Sequence, residues 1–371
     1  MRVHSVGIET SRSRSGSFRW WHASILGAVV ATIAIGAFAF RASQMGSVEG
    51  QPYVDGSPTS GALEIMLVQG DGQAFAALAQ DPTLSRPERF HGIEAELPVG
   101  AEAAYRAQRP AFGYLAWVLS LGHPALVPAA LVLLSIGSAS LLVTAVALVL
   151  ADRGYREPMR AVIVLALPVS LAAMSWLGPD LAALGIATLG FRLWPAQRLG
   201  AITLFVAASC FRETALLVPV GIAVHGLMHR RDWRGAMQLS VSAAPLGVWA
   251  VVVHARLGFF PWEAYPDLKG LPFIGVIRAV PQWDAADLLM VLLTVVCAAI
   301  AVRRWRDPLA TIVLVTFALG LLLGAVVWKD WRDIGRVLLP MSVYCVVMLM
   351  APVRAPTRGR ASIRGVEAQP T

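Results

Sequence analysis

Asp71 stands between two glycines in "QGDGQAFAALAQDP", on a segment that is otherwise apolar. A carboxylate in such surroundings has the chemistry of a general base, able to take a proton from a hydroxyl as it attacks. Ile65, Leu67, Val68, Phe75, Leu78 and Ala79 predict a broken helix lying on the membrane with its apolar side down, and Gly70 and Gly72 free the backbone around Asp71. Downstream, "YRAQRPAFGYLAW" places Tyr105, Arg106 and Arg109 just ahead of a short apolar stretch at 111–121. That stretch is too short to span and is expected along the interface.

Three further charge clusters interrupt apolar sequence. In "SWLGPDLAAL", Asp180 sits at a turn and reads either as a helix N-cap or as a substrate contact. In "CFRETALLVP", Arg212 and Glu213 break a run from Leu199 to Met228 that, as one helix, would be about 45 Å long. Two short arms bent at Arg212–Glu213 are predicted instead. Buried charge there implies either a cavity open to water or an Arg–Glu pair that locks two helices. In "VVWKDWRDIGRVLLP", Lys329, Asp330, Arg332, Asp333 and Arg336 cluster beside Trp328 and Trp331. The cations of that cluster suit a phosphate or pyrophosphate, which arginine grips bidentately. Trp262 and Trp283 read as platforms for a sugar face or as interfacial anchors.

The elements that must position these groups are membrane helices. The 371 residues are 57% hydrophobic and 15% charged, with a mean hydropathy of +0.63, which excludes an ordinary soluble domain. The expected fold is an all-α polytopic transmembrane helix bundle of about ten spans, with short interfacial helices in the first outside loop. Hydrophobic runs fall at 23–40, 124–150, 161–178, 181–195, 199–211, 214–229, 236–255, 287–302, 309–328 and 337–353. Residues 1–22 read as a basic cytoplasmic N-terminus and 23–353 as one membrane-embedded unit. Within that unit, 41–62 reads as a flexible linker, 63–121 as the first outside loop and 256–286 as the second. Residues 354–371 read as a disordered basic cytoplasmic tail.

Charge orients the unit. With a cytoplasmic N-terminus, inside segments carry Arg153, Arg156, Arg160, Arg192, Arg198, Arg230, Arg231, Arg303 and Arg304, and each obeys the positive-inside rule. The net charge of +8 therefore reports topology and contact with anionic lipid heads, and nucleic acid is not an expected partner. The first run is longer than a signal-peptide core and is expected to remain as a span. Cys210, Cys297 and Cys345 lie in apolar runs without metal-ligand spacing and read as packing residues.

A carboxylate, arginines near the membrane and aromatic rings on one face suit transfer of a sugar from a lipid phosphate. The chain resembles the GT-C membrane glycosyltransferases, on an Asp in the first outside loop ("QGDGQAF"), "YRAQRPAFGYLAW" after it, "RETALLVP" between short spans and "GRVLLP" opening the last. The resemblance covers the arrangement of most of the chain. It implies an inverting enzyme of the cell membrane, with its active site on the outer face. By that resemblance Asp71 would be the base, and Arg106, Arg109, Arg212 and Arg336 would hold the lipid phosphate or the sugar; the charge clusters themselves add Asp180, Glu213, Lys329 and Arg332 as candidate substrate contacts. The implied partners are a polyprenyl-phosphate sugar donor, a glycan, glycolipid or protein acceptor, and membrane lipids. No fixed cofactor follows; some members of the class use a divalent metal, and no Asp-x-Asp pair points to one here. A membrane polysaccharide polymerase or ligase, and a transporter or flippase of lipid-linked or anionic substrates, are the alternatives.

Overall fold

A computed structural model describes residues 19–44, 61–68, 71–90, 99–263 and 271–351. Most of the expected linker, part of the "ERFHGIEAELP" run, most of the N-terminal segment, the C-terminal tail and part of the second outside segment lie outside these residues. Among the described residues the architecture is all-helical, without a β-strand.

Length and composition separate two kinds of helix. Among the described residues four helices are long and apolar enough to cross a membrane: α1 (Trp20–Ser43), α6 (Val127–Asp152) with the 3-10 turn ahead of it, Trp233–Leu257, and α14 (Ala285–Arg303). Trp233–Leu257 comprises α11 (Trp233–Ser240) and α12 (Ala244–Leu257). Two bent pairs raise the number to six: the 3-10 helix Pro158–Ala166 with α7 (Pro168–Ser175), at 68°, and α17 (Trp331–Val337) with α18 (Leu339–Met350), at 66°. The remaining runs form α8 (Asp180–Leu193), α9 (Arg198–Phe211), α10 (Leu217–Arg230) and α15 (Pro308–Leu321), each of 14 residues. At 1.5 Å per residue each is about 21 Å long, short of a hydrocarbon core of about 30 Å. The expected ten spans thus divide into four to six by length and a set of short helices; α13 (Ile274–Ala279) and α16 (Ala325–Trp328) are shorter still.

Outward-facing leucines, isoleucines and valines on α1, α12 and α14 make an apolar outer surface of the kind lipid covers. Inward, α1 presents Ala23, Gly27, Ala31 and Ile35 at four-residue spacing to α6. Small residues let the backbones approach closely: a Cβ on Gly27 would come within 2.9 Å of the Cα of Ser140. The Ser24 and Ser140 hydroxyls meet at 2.8 Å across the same contact.

The helix ends sort by charge. At one end Arg153 forks onto Asp307 (2.9 and 2.8 Å), Arg192 meets Asp152 (2.6 Å) and Arg198 meets Asp232 (3.1 Å). These pairs bring together the C-terminal ends of α6, α8 and α10 and the N-terminal ends of α9 and α15. The opposite ends of α8, α9 and α10 carry Asp180, Arg212 and Glu213.

Over that second end lie four short helices: α2 (Ala62–Val68), α3 (Gly72–Gln80), α4 (Val99–Arg106) and α5 (Pro110–Leu119). α2 and α3 form the expected broken helix, but α3 is buried from Gly72 to Ala79 on every side, and does not lie one-sided on the membrane. Its small side chains let it wedge against α5, where Phe75 meets Phe112 edge-on at 5.4 Å. α5 itself leaves Leu115, Trp117, Val118 and Leu119 exposed, as an interfacial helix would. Asp81 is structural: its carboxylate accepts from the hydroxyls of Thr83 and Ser85 (2.9 Å each) and the Arg86 N–H (2.6 Å), pinning the turn after α3.

The α3–α5 contact tolerates no side chain at Gly113, where a Cβ would stand 2.7–2.8 Å from Leu78 carbons. Gly113→Val is expected to destabilise the protein by about 1–3 kcal/mol through overpacking. Thermal unfolding in detergent checks this, and an unchanged midpoint would show that α5 can move away from α3.

Candidate functional site

Asp71 directly precedes α3, in the N-cap position, yet its carboxylate makes no cap bond. It faces two arginines instead, accepting from Arg336 Nη2 at 2.6 Å and Arg109 Nη1 at 3.5 Å. Arg109 immediately precedes α5, whose first residue is Pro110, so its side chain leaves the helix at its start. Its Nε and Nη2 form a fork on Glu213, at 2.9 and 2.8 Å.

Glu213 opens the 3-10 turn Glu213–Leu216 between α9 and α10. The break comes from Arg212, whose extended backbone (φ −158°, ψ 133°) ends α9 and sends neighbouring side chains in different directions. The predicted bend at Arg212–Glu213 is therefore present, but the two residues do not pair with each other. Arg212 donates to Asp180, and Glu213 takes Arg109.

Asp180 is the first residue of α8, with Pro179 as the cap residue and no side-chain cap bond. Its N-cap reading gives way to ion pairing: Oδ1 accepts from Arg212, and Oδ2 from Arg336 Nε and Nη2 at 3.3 Å each. The N-terminal end of a helix also favours the negative charge. Arg336, in the last turn of α17, lies over the Trp176 ring with its guanidinium carbon 4.4 Å from the centroid. Arg109 lies 6.0 Å from the centroid of Tyr105.

Six of the sequence-predicted residues, Asp71, Arg109, Asp180, Arg212, Glu213 and Arg336, thus join in one network of three arginines and three carboxylates. It has a floor and a rim. The side chains of Asp180 and Arg336 are 0% and 2% exposed, whereas Asp71 is 33% exposed and Glu213 38%. Burial pushes the Asp71 carboxyl toward the neutral form, but the charges of Arg336 and Arg109 and the Arg336 hydrogen bond outweigh it and hold its pKa well below the usual carboxylate range. The carboxylate is charged, reachable from one side, and gripped.

Three predicted residues stand apart. Arg106 is turned back onto Glu102 of its own helix at 2.8 Å. Lys329 is exposed, and Arg332 is exposed with its guanidinium 5.6 Å from the Trp331 centroid. Arg332 also lines a cavity of about 490 Å³ with Phe38, Arg41, Met66, Leu171 and Trp176. Trp176 therefore walls that cavity and carries Arg336. Sequence reasoning passed over Trp176, although "SWLGPD" places it one helical turn before Asp180.

Of the tryptophans considered for sugar stacking, Trp283 donates its indole N–H to the Trp328 carbonyl at 2.6 Å, and exposed Trp262 stacks on Phe260 at 4.7 Å. Among the described residues no three His, Cys, Asp or Glu side chains gather as metal ligands. Comparison of the chain with known protein families, with curated proteins and with solved structures finds no match.

Proposed function

We propose that this chain is an inverting membrane glycosyltransferase, taking a sugar from a polyprenyl-phosphate donor and passing it to a glycan, glycolipid or protein acceptor. The observation that carries this reading is the partly open Asp71 carboxylate, gripped by Arg336 and Arg109 beside an apolar cavity of about 490 Å³. A lipid-borne anionic donor calls for these features together: arginines for the phosphate, apolar room for the chain and a carboxylate for the acceptor.

Before a donor arrives, each arginine of the network is held by a carboxylate. The donor phosphate competes with Asp71 for Arg336 and Arg109. Once released, Asp71 takes the proton of the acceptor hydroxyl as its oxygen attacks the anomeric carbon. The bond from that carbon to the phosphate oxygen breaks, and the departing polyprenyl phosphate keeps the electron pair, its charge stabilised by the arginines. Attack opposite the leaving group inverts the anomeric centre.

This reading takes α8, α9, α10 and α15 as crossings beside the six longer ones, with both termini on the arginine-rich, cytoplasmic side and the network on the outer face.

The deciding experiment incubates purified protein in lipid with a panel of polyprenyl-phosphate sugars and follows donor consumption by mass spectrometry. One sugar is expected to be consumed with release of polyprenyl phosphate. Folded protein that consumes none, with glycan, glycolipid and peptide acceptors all supplied, overturns the proposal.

A further inference from the structure

At the opposite, arginine-rich end of the helices lies a larger cavity, of about 540 Å³. Its walls are mostly apolar and include Val149, Phe191, Ile222, Ala223 and Leu239. Arg153, Arg192, Arg198 and Arg230 line it against the carboxylates of Asp152 and Asp232. Both acids are engaged. Asp152 takes Arg192 at 2.6 Å, and Asp232 takes Arg198 at 3.1 Å while also capping α11 through the Gly235 N–H at 2.8 Å. Arg153 is committed to Asp307. Arg230, the last residue of α10, is exposed and has no hydrogen bond or ion pair among the described residues. Trp194 also lines the cavity and underlies Arg198 at 5.1 Å.

We propose that this cavity binds the head and first acyl carbons of an anionic phospholipid. The surplus cation asks for an anion. A small soluble anion would leave the apolar walls unused, and a neutral lipid would leave Arg230 without a partner. The volume lies within the roughly 300–1,000 Å³ of ordinary ligand sites, and basic pockets between membrane helices suit acidic lipid heads. The position fits as well, because gathered helix ends and a tryptophan mark a membrane surface. A phosphate there ties together the ends of α8, α9 and α10, whose other ends carry Asp180, Arg212 and Glu213. The site is separate from the network and stands whether or not the chain transfers sugar.

The test uses full-length protein delipidated in a non-ionic detergent, titrated with dioleoyl phosphatidylglycerol while the thermal unfolding midpoint is followed. Dioleoyl phosphatidylcholine and inorganic phosphate are run beside it. A saturable rise with phosphatidylglycerol alone is expected. Arg230→Gln should raise the half-saturating concentration about tenfold, the effect of losing one charged hydrogen bond. Ala223→Phe, which fills apolar space and leaves every arginine in place, should abolish the response. A rise of equal size with inorganic phosphate identifies a soluble-anion site and overturns the proposal. An equal rise with phosphatidylcholine, or a phosphatidylglycerol response that either variant leaves unchanged, overturns it too.

Discussion

Asp71→Asn is expected to slow sugar transfer by about 10²- to 10⁴-fold, the contribution of a positioned general base, while the protein stays folded and inserted. Asparagine keeps the shape and can still accept from Arg336, which also remains paired to Asp180. What disappears is basicity. Donor binding should move the other way: with the competing charge removed from Arg336 and Arg109, the variant should hold a polyprenyl-phosphate sugar as tightly as the parent or more so. Single-turnover transfer measured together with equilibrium donor binding separates the two effects. Parent-level turnover in the variant would sink the assignment of Asp71, and lost binding would make it a structural partner of the arginines.

Acidity gives this substitution a second signature. The folded-state pKa of Asp71 is depressed below the ordinary carboxylate value of about 3.9. Its charge therefore contributes stability above that ordinary value, and the contribution is lost as pH falls through the lower, folded value. As pH falls from about 5 to about 2, the parent should lose more stability than Asp71→Asn does.

Arg336→Ala should be the most damaging single change in the network. Its guanidinium touches Asp71 and Asp180, rests on Trp176 and is almost wholly enclosed. Truncation leaves the enclosed Asp180 with one arginine in place of two, and breaking a buried ion pair typically costs about 3–5 kcal/mol. Donor consumption should fall below detection. Removing Asp180 as well should lower the thermal stability further, since buried Arg212 then loses its carboxylate, and should restore no transfer, since the phosphate still lacks its arginine. Arg336→Lys should fold better than the alanine variant and transfer poorly, because lysine keeps the charge without the fork or the flat stacking surface. Full recovery of transfer in the double variant would place the phosphate elsewhere.

The members of this network were legible because charge is conspicuous in apolar sequence. Asp71 between glycines, Arg212–Glu213 within a long hydrophobic run and Arg336 at the start of the last run each contradict their surroundings. Their partners were not legible. Asp71 and Arg336 are 265 positions apart, and only the packing of α3 and α17 decides that they meet. For Asp180, the local preference for capping gave way to two arginines that arrive from remote segments. Arg106 and Arg109 looked alike as a pair. The first has Glu102 four residues back on its own helix, while the second sits past the helix end and is free to reach Glu213. Lys329 and Arg332 show the limit of composition, since a cation beside a tryptophan reads the same whether it faces a site or the surroundings. The helical runs were placed correctly in kind, but their lengths, which separate a full crossing from a short helix, depend on breaks that hydrophobicity alone does not reveal.

Helices of about 21 Å standing beside α6, at about 39 Å, cannot all meet the same pair of flat membrane surfaces. A bilayer accommodates short apolar lengths by thinning. On the proposed topology, α8, α9 and α10 stop well short of the end of α6, so Asp180, Arg212 and Arg336 lie below the level that α6 reaches, with α2–α5 packed over them. A long-chain lipid could then present its head to the arginines without leaving its own leaflet. On the proposed reading, the recess left by the short helices spares a lipid head the full depth of a bilayer on its way to the charges.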